Sequence, residues 1–226
     1  MSEEETAQEW DSNVAARAAD LENKKDNIFW YLIVPIFRSL VRGKSFKDVV
    51  DIGCGPGFLT SELAHIVGHI VGIDISAESV HYANTHFTPC FINESLETFT
   101  AHCSPGTKDA CIAHMSLHYF TDINLAFKNI QTLLQPGGNF IFSVPHPAFW
   151  FQKHAKDFWY PHEKIYALPF KTKDCAELKS LITIQHRTLE TYSRALSENG
   201  FVIEQMLEPS FGNEYKGMLI FVCKRV

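Results

Sequence analysis

The sequence contains no block of lysine and arginine residues. Its 226 residues include 20 lysines and arginines against 26 aspartates and glutamates, so the formal net charge is −6 at pH 7. Proteins that bind nucleic acid need a clustered basic surface to neutralise phosphates. The composition therefore argues against a nucleic-acid partner, and we interpret the negative charge as a contribution to solubility.

Paired cysteines are missing as well. The six cysteines are scattered along the chain, with no Cys-x-x-Cys pair and no nearby histidines at the spacing of a zinc site. Single cysteines in a chain of this size are typical of buried thiols in a reducing compartment. We therefore expect a cytoplasmic protein without a metal. The cysteines are Cys54, Cys90, Cys103, Cys111, Cys175 and Cys223.

Long hydrophobic runs are also absent. The longest, at residues 28–37, contains Pro35 and is much shorter than the roughly 20 residues that a membrane-spanning helix needs. The acidic residues 1–5 have neither the apolar core of a secretory signal nor the arginines of a transit peptide. We expect no membrane partner.

From residue 47 onward, apolar runs that predict strands alternate with amphipathic stripes that predict helices. This alternation is typical of an α/β protein with a parallel, doubly wound sheet. The last two strands are joined by residues 212–217, a link too short for a helical crossover, so we predict that they pair antiparallel. The predicted strands are 49–52, 69–76, 90–93, 109–115, 139–144, 201–207 and 218–223.

Two regions depart from this alternation. Before it, Trp10, Val14 and Leu21 stand at helical spacing, and a second helix is predicted over residues 28–41. Within it, residues 145–187 are rich in aromatic side chains. Such a segment forms either an ordinary packed subdomain or a lid over an apolar ligand, and we favour the lid because ligand pockets are apolar and lie at this edge of the sheet.

A glycine-rich loop, Asp51-Ile52-Gly53-Cys54-Gly55-Pro56-Gly57, follows the first strand and opens a helix. Glycines let the backbone approach a ligand closely, and the helix N-terminus offers unpaired N–H groups. A dehydrogenase fingerprint would need a glycine where Phe58 stands, which disfavours a nicotinamide cofactor. Asp51 would repel a pyrophosphate but attract the ammonium of a methionine group.

Asp74 ends the second strand, about where nucleotide-binding α/β folds place the carboxylate that accepts hydrogen bonds from ribose hydroxyls. The apolar side chain of the next residue, Ile75, could pack on an adenine ring. The alternative is that Asp74 caps the next helix, but Ser76 is better placed for that role.

Four motifs in this order resemble those of class I S-adenosylmethionine-dependent methyltransferases. They are the loop at 51–57, Gly-Ile-Asp-Ile-Ser at 72–76, the strand segment at 110–120, and the helix-turn-strand segment with Pro-Gly-Gly at 133–144. Residues 186–209 resemble the C-terminal segment of bacterial-type small-molecule methyltransferases. The resemblance covers residues 47–226 apart from the aromatic insert.

The resemblance implies a Rossmann-like sheet of seven strands in the order 3-2-1-4-5-7-6 with strand 7 antiparallel. It also implies a single domain made of an N-terminal helical lid (1–46), a cofactor-binding core (47–144), a substrate-side insert (145–187) and a C-terminal helix and strand pair (188–226). The cofactor would be S-adenosylmethionine, with S-adenosylhomocysteine as the product. The expected cofactor residues are Asp51, Gly53, Cys54, Gly55, Gly57, Asp74, Ile75, Glu94, Ser95, Leu96, His114 and Met115.

The acceptor would lie under the lid and the insert, so we expect His118, Trp150 and Tyr160 to contact it. His146 and His186 are our candidates for a general base or an acceptor-orienting group, because a histidine near neutral pKa can take a proton from a hydroxyl or ring nitrogen. The alternative for each histidine is a hydrogen-bonded structural role, and for Met115 a place in the core.

The sequence therefore predicts methyl transfer to a small-molecule acceptor in secondary or cofactor metabolism, to oxygen or nitrogen rather than carbon, by a monomer or homodimer. Three rivals remain: a nicotinamide dehydrogenase, an RNA- or protein-directed methyltransferase, and a cofactor-binding protein without catalysis. The glycine spacing weakens the first, and the charge and the C-terminal segment weaken the second.

Overall fold

The N-terminal region is helical in a computed structural model that describes residues 2–169, 181–210 and 217–226. Helix α1 (Glu3–Glu22) begins with a capping box, in which the Ser2 hydroxyl accepts from the Glu5 N–H and the Glu5 carboxylate accepts from the Ser2 N–H. The predicted second helix is divided into a π-helical turn (Phe29–Ile33) and helix α2 (Val34–Val41). The division precedes Pro35, which the first turn of a helix tolerates.

A seven-stranded sheet forms the centre of the molecule. Its strands lie in the order β3-β2-β1-β4-β5-β9-β8; β1 to β5 are parallel, and β9 is antiparallel to both β5 and β8. The predicted arrangement is confirmed, with β8 and β9 as the sixth and seventh strands of the sheet. The sheet strands are β1 (Asp48–Ile52), β2 (His69–Asp74), β3 (Cys90–Asn93), β4 (Lys108–His114), β5 (Leu134–Pro145), β8 (Phe201–Leu207) and β9 (Met218–Arg225).

Both faces of the sheet are covered, because side chains alternate between faces along each strand. On one face, Phe140 and Phe142 of β5 pack in a cluster with helix residues such as Phe127. On the other, Ile141 packs in a cluster with residues of the N-terminal helices, including Phe37. The connecting helices are α3 (Phe58–Ala64), α4 (Ala77–His86), α5 (Leu96–His102), α6 (Ile123–Leu133) and α8 (Leu189–Glu198), with a 3₁₀ turn at Leu117–Tyr119.

The aromatic insert has a small core of its own. It contains helix α7 (Phe149–His154) and an antiparallel hairpin of β6 (Ile165–Pro169) and β7 (Leu181–Gln185), which the sequence did not predict. Phe151, Tyr166 and Ile184 are buried in that core. The predicted link at 212–217, apart from Gly217, and Cys175 lie outside the described residues. Within the described ranges, no helix has the length and apolar character to cross a membrane.

Candidate functional site

The glycine loop turns sharply between β1 and α3. Gly53 and Gly55 have φ angles of +66° and +54°, in the left-handed region that favours glycine. A Cβ added to Gly53 would lie 2.4 Å from the Ser116 Cβ, whereas one added to Gly55 would meet no heavy atom within 4 Å. Gly53 therefore allows close packing, while Gly55 faces open space.

That open space is part of a cavity of about 1130 Å³. The cavity starts at the glycine loop, passes the carboxyl ends of β1, β2 and β4, and continues under α1 to the aromatic insert. Ten of the twelve predicted cofactor residues line it: Asp51, Gly53, Cys54, Gly55, Asp74, Ile75, Glu94, Leu96, His114 and Met115.

Gly57 and Ser95 are the two predicted cofactor residues that do not line the cavity. A Cβ on Gly57 would lie within 2.9 Å of Phe91 and Ala83, so this glycine lets α3 begin close to its neighbours. Ser95 is the N-cap of α5, where its hydroxyl accepts from the Thr98 N–H at 3.2 Å. Both positions therefore contribute to local structure, and the predicted cofactor contacts stay predictions.

The Asp74 carboxylate lies beside the glycine loop. Its Oδ2 accepts from the Gly55 N–H at 2.7 Å, and its Oδ1 accepts from the Ser76 N–H at 2.8 Å. Burial raises the pKa of Asp74, and these two amides oppose that rise. The hydroxyl of Ser76 caps α4 by accepting from the Ser79 N–H, so the capping role that was the alternative for Asp74 belongs to Ser76.

Asp51 is a buried carboxylate in the wall of the same cavity. The Thr60 hydroxyl donates to its Oδ2 at 2.5 Å. Burial raises the pKa of Asp51 to about 7, and the nearby charge of Asp74 adds to the rise. A cationic group in the cavity would offset this cost of ionising Asp51.

His114 is the last residue of β4, Met115 follows it, and both line the cavity. The Nδ1 of His114 lies 2.8 Å from the Ser143 Oγ, and burial lowers the pKa of His114 to about 3. Met115 has a φ of +52°, an uncommon value for a residue with a side chain, and its N–H donates to Ser143. His114 is therefore neutral, and Met115 lies at the cavity rather than wholly within the core.

His118 and Trp150, which we predict to contact the acceptor, line the cavity. His118 is 1% exposed, and its Nδ1 has no hydrogen-bond partner among the described residues. Burial lowers its pKa to about 3, and the positive charge of Arg187 lowers it further. The ring of Tyr119 lies 4.1 Å from that of His118 and packs edge-on against Trp10 of α1 at 5.3 Å.

His146 does not line the cavity, contrary to the position that we predicted for a base. Its Nδ1 accepts from the N–H groups of Ala148 and Phe149, and its Nε2 lies 2.8 Å from the Glu208 Oε1. The two accepted bonds place the ring proton on Nε2, so both nitrogens are occupied. This histidine fastens the turn after β5 to the segment that follows β8.

His186 and Tyr160 also lie away from the cavity, inside the insert. The His186 Nε2–H donates to the Tyr160 carbonyl at 2.9 Å, and the ring of His186 packs against Phe151 and Phe158. The Tyr160 hydroxyl accepts from the Leu189 N–H at 3.0 Å. Both side chains are therefore held within the insert rather than at the wall of the cavity.

Sequence reasoning missed several residues of the cavity wall. Arg17 lines it from α1, on the helical stripe that Trp10, Val14 and Leu21 mark, and is paired with Asp26 at 2.6 Å. The stripe was a sufficient signal for α1, since these residues recur at three- and four-residue spacing. The wall residues of the hairpin, Leu168, Pro169, Ile182 and Ile184, had no comparable signal because the hairpin itself was not predicted.

Comparison with known proteins agrees with this architecture. A family model described as "Methyltransferase domain" matches residues 50–142. A ubiquinone biosynthesis O-methyltransferase of Ralstonia nicotianae is 30% identical over 104 residues, which are 44% of this chain and 44% of that protein. The chain thus spans less than half the length of this curated relative.

Two solved structures share the fold. An S-adenosylmethionine-dependent methyltransferase from Mesorhizobium loti superposes with a TM-score of 0.66 at 24% identity, covering 84% of this chain and 96% of that one. The 1,6-didemethyltoxoflavin-N1-methyltransferase of Burkholderia thailandensis, with 1,6-didemethyltoxoflavin and S-adenosylhomocysteine bound, has a TM-score of 0.61 at 14% identity, covering 94% of this chain and 87% of that one. Residues 50–142 of this chain thus match a methyltransferase domain, and the chain has the fold of these S-adenosylmethionine-dependent methyltransferases.

Proposed function

We propose that this protein transfers a methyl group from S-adenosylmethionine to an oxygen or nitrogen atom of a small, apolar acceptor. The observation that carries the proposal is the continuity of the cavity between the glycine loop and the aromatic insert. At about 1130 Å³ it exceeds the ~300–1,000 Å³ typical of a site for one ligand. It therefore has room for a cofactor and an acceptor side by side.

The residues of the loop side fit S-adenosylmethionine. Gly55 leaves a space that any Cβ would fill, and the loop precedes the N-terminus of α3. Asp74 has lone pairs left to accept from ribose hydroxyls, and Ile75 lines the wall beside it. Asp51 would face the ammonium group, whose charge favours ionised Asp51.

The bound cofactor supplies a reactive methyl group on a sulfonium sulfur. The protein's part is to hold an acceptor atom in line with that methyl group, and orientation of this kind is worth roughly 7–11 kcal/mol in favourable cases. His114 and Met115 line the passage between the two parts of the cavity. Helix α1 and the insert contribute to the wall of the same cavity.

His118 is the residue that we assign to orienting the acceptor. Burial and Arg187 keep its ring neutral at physiological pH, so it offers a hydrogen bond without introducing a charge. A buried imidazole with an unsatisfied nitrogen is costly unless a ligand satisfies it. Trp150 and Tyr119 provide the aromatic surface for a planar, apolar acceptor.

A small acceptor fits these features better than RNA or a protein does. The chain carries a net charge of −6, and the acceptor part of the cavity lies beneath α1 and the insert. The relatives named above methylate small molecules according to their names, one on oxygen and one on nitrogen. These features together favour a metabolite with a hydroxyl group or a ring nitrogen.

The test is a methyl-transfer assay with radiolabelled S-adenosylmethionine and panels of phenols, catechols, heteroaromatic amines, total RNA and denatured protein. We expect label in at least one small aromatic acceptor and none in RNA or protein. Label in RNA or protein would overturn the proposed acceptor class. Cofactor binding with no transfer to a complete metabolite extract would instead indicate a binding protein without catalysis.

A further inference from the structure

Residues 9 and 11 of α1 fasten this helix to two different walls of the cavity. Successive residues of an α-helix are rotated by about 100°, so positions 9 and 11 point in nearly opposite directions. Glu9 reaches the insert, and Asp11 reaches the start of α4 on the cofactor side. Helix α1 therefore bridges the part that would hold the acceptor and the part that would hold the cofactor.

Asp11 is linked by hydrogen bonds through Ser76 to Asp74, the carboxylate that we propose binds the ribose. Its Oδ1 accepts from the Ser76 hydroxyl at 2.6 Å and from the Glu78 N–H at 3.1 Å. The N–H of the same Ser76 donates to the Asp74 Oδ1 at 2.8 Å, and the Gly55 N–H donates to the Asp74 Oδ2. One chain of hydrogen bonds thus runs from the lid helix through Asp74 to the glycine loop.

Glu9 makes an independent connection on the other side. Its Oε2 accepts from the Thr183 N–H at 3.0 Å, and its Oε1 accepts from the Thr183 hydroxyl at 2.8 Å. Thr183 lies in β7, between Ile182 and Ile184 of the cavity wall. This contact involves none of the predicted cofactor residues.

We propose that Asp11 is a positioning residue for cofactor binding, acting through Ser76 on Asp74, and that Glu9 fastens the same helix to the acceptor side without affecting the cofactor. The inference rests on the proposed function, since it assumes that Asp74 binds the cofactor. Closure of α1 is then linked to occupation of the cofactor site: ligand at Asp74 stabilises the contact with Asp11, and loss of that contact weakens binding.

The test compares Asp11→Ala and Glu9→Ala in the whole chain with S-adenosylhomocysteine as the probe. We expect Asp11→Ala to raise the Kd of S-adenosylhomocysteine about 10-fold, as one charge-assisted hydrogen-bond connection is lost. Glu9→Ala should leave this Kd within about twofold, because its contact lies on the other wall. Asp11→Asn keeps an acceptor oxygen for Ser76 and should recover most of the affinity.

Hydrogen exchange supplies a second readout. S-adenosylhomocysteine should slow exchange in α1 of the wild type and of Glu9→Ala, but not of Asp11→Ala, while Glu9→Ala should speed exchange at residues 181–185. Equal Kd values for Asp11→Ala and wild type, or equal losses in the Asp11 and Glu9 variants, would overturn the inference alone. If the wild type itself does not bind S-adenosylhomocysteine, the proposed function fails and the inference fails with it.

Discussion

The two walls of the cavity differ in how the chain builds them. The wall that we assign to the cofactor (the cofactor wall) comes mostly from one stretch, residues 51–97, in which β1, β2 and β3 each end in a short loop, and His114 and Met115 complete it. The wall that we assign to the acceptor (the acceptor wall) is assembled from α1, the segment after Met115, and the insert, which are far apart in sequence. The residues of the first wall are close together in the sequence, whereas those of the second are brought together only by the fold.

The histidines illustrate the same contrast on a smaller scale. His118 and His146 both follow a sheet strand at its carboxyl end, and both are almost fully buried. His118 lines the cavity with an unsatisfied Nδ1, while both nitrogens of His146 are bonded to the protein. A shared position along the sheet edge therefore does not give a shared role.

The largest expected effect on cofactor binding comes from a substitution of Gly55. Gly55→Val should reduce affinity for S-adenosylmethionine beyond detection, because a β-branched side chain fits poorly at a φ of +54° and would extend into the cavity. Gly43→Val is the matched control: Gly43 has a φ of +77° and open space around it, but does not line the cavity. Calorimetry should find normal binding in the control. Normal binding by a folded Gly55→Val variant would show that the glycine loop does not contact the cofactor.

Asp74→Ala should weaken cofactor binding by about 10²–10⁴-fold, since two charge-assisted hydrogen bonds are worth roughly 1.5–3 kcal/mol each. Asp109→Ala is the control, because Asp109 also accepts from two backbone amides, those of Lys47 and Asp48, but lies outside the cavity. Dissociation constants of both variants, measured alongside their unfolding midpoints, separate binding from stability. A similar Kd in the two variants would refute the ribose role.

The next prediction compares His118 and His146. His118→Ala should lower kcat/KM for the acceptor about 10–100-fold and leave the Kd of the cofactor unchanged, because it removes an orienting hydrogen bond. His146→Ala should instead cost about 1–3 kcal/mol of unfolding free energy, since the amides of Ala148 and Phe149 lose their acceptor. Initial rates measure the first effect and chemical denaturation the second. A loss of kcat/KM in His146→Ala without a loss of stability would indicate that His146 acts in the site.

The pH profile of kcat/KM is a related check on the two candidate bases, His146 and His186. Neither His146→Gln nor His186→Gln should change the pH profile of kcat/KM, because both rings lie outside the cavity. Loss of the acidic limb in either variant would identify that histidine as the base.

The smallest expected effect concerns Asp51. Burial holds its folded-state pKa near 7, above the unfolded value, so ionising it costs stability as the pH rises between about 4 and 7. A bound ammonium group favours the ionised form, so cofactor binding should release a proton below pH 7. Affinity should rise about 10-fold between pH 6 and pH 8. Calorimetry should find a flatter profile for Asp51→Asn; an unchanged profile would mean that Asp51 is not the group that titrates.

The cofactor wall could be predicted from sequence because its chemistry lies in backbone geometry that particular residues require. Glycines that suit a positive φ and the carboxylates near the ends of β1 and β2 can be read directly from the sequence, and ten of the twelve predicted residues line the cavity. Gly57 and Ser95 belong to the same loops but make local contacts: a Cβ on Gly57 would meet Phe91, and the Ser95 hydroxyl accepts from the Thr98 amide. Sequence spacing does not reveal that direction.

The acceptor wall could be predicted only in outline. Helical spacing indicated α1, and aromatic content indicated the insert, but neither pattern shows which side chains face inward. The His186 Nε2–H donates to the Tyr160 carbonyl within the insert, and Ile182 of the unpredicted β7 lines the cavity instead. These outcomes depend on tertiary packing between segments that are distant along the chain.

Calorimetric titration of the wild-type chain with S-adenosylhomocysteine and, separately, with NAD tests most directly whether the cavity is a methyltransferase site. We expect saturable one-to-one binding of S-adenosylhomocysteine that Gly55→Val removes and Gly43→Val retains, and no binding of NAD. Binding of NAD in preference to S-adenosylhomocysteine, or binding of S-adenosylhomocysteine that survives Gly55→Val, would show that the cofactor wall has been assigned wrongly.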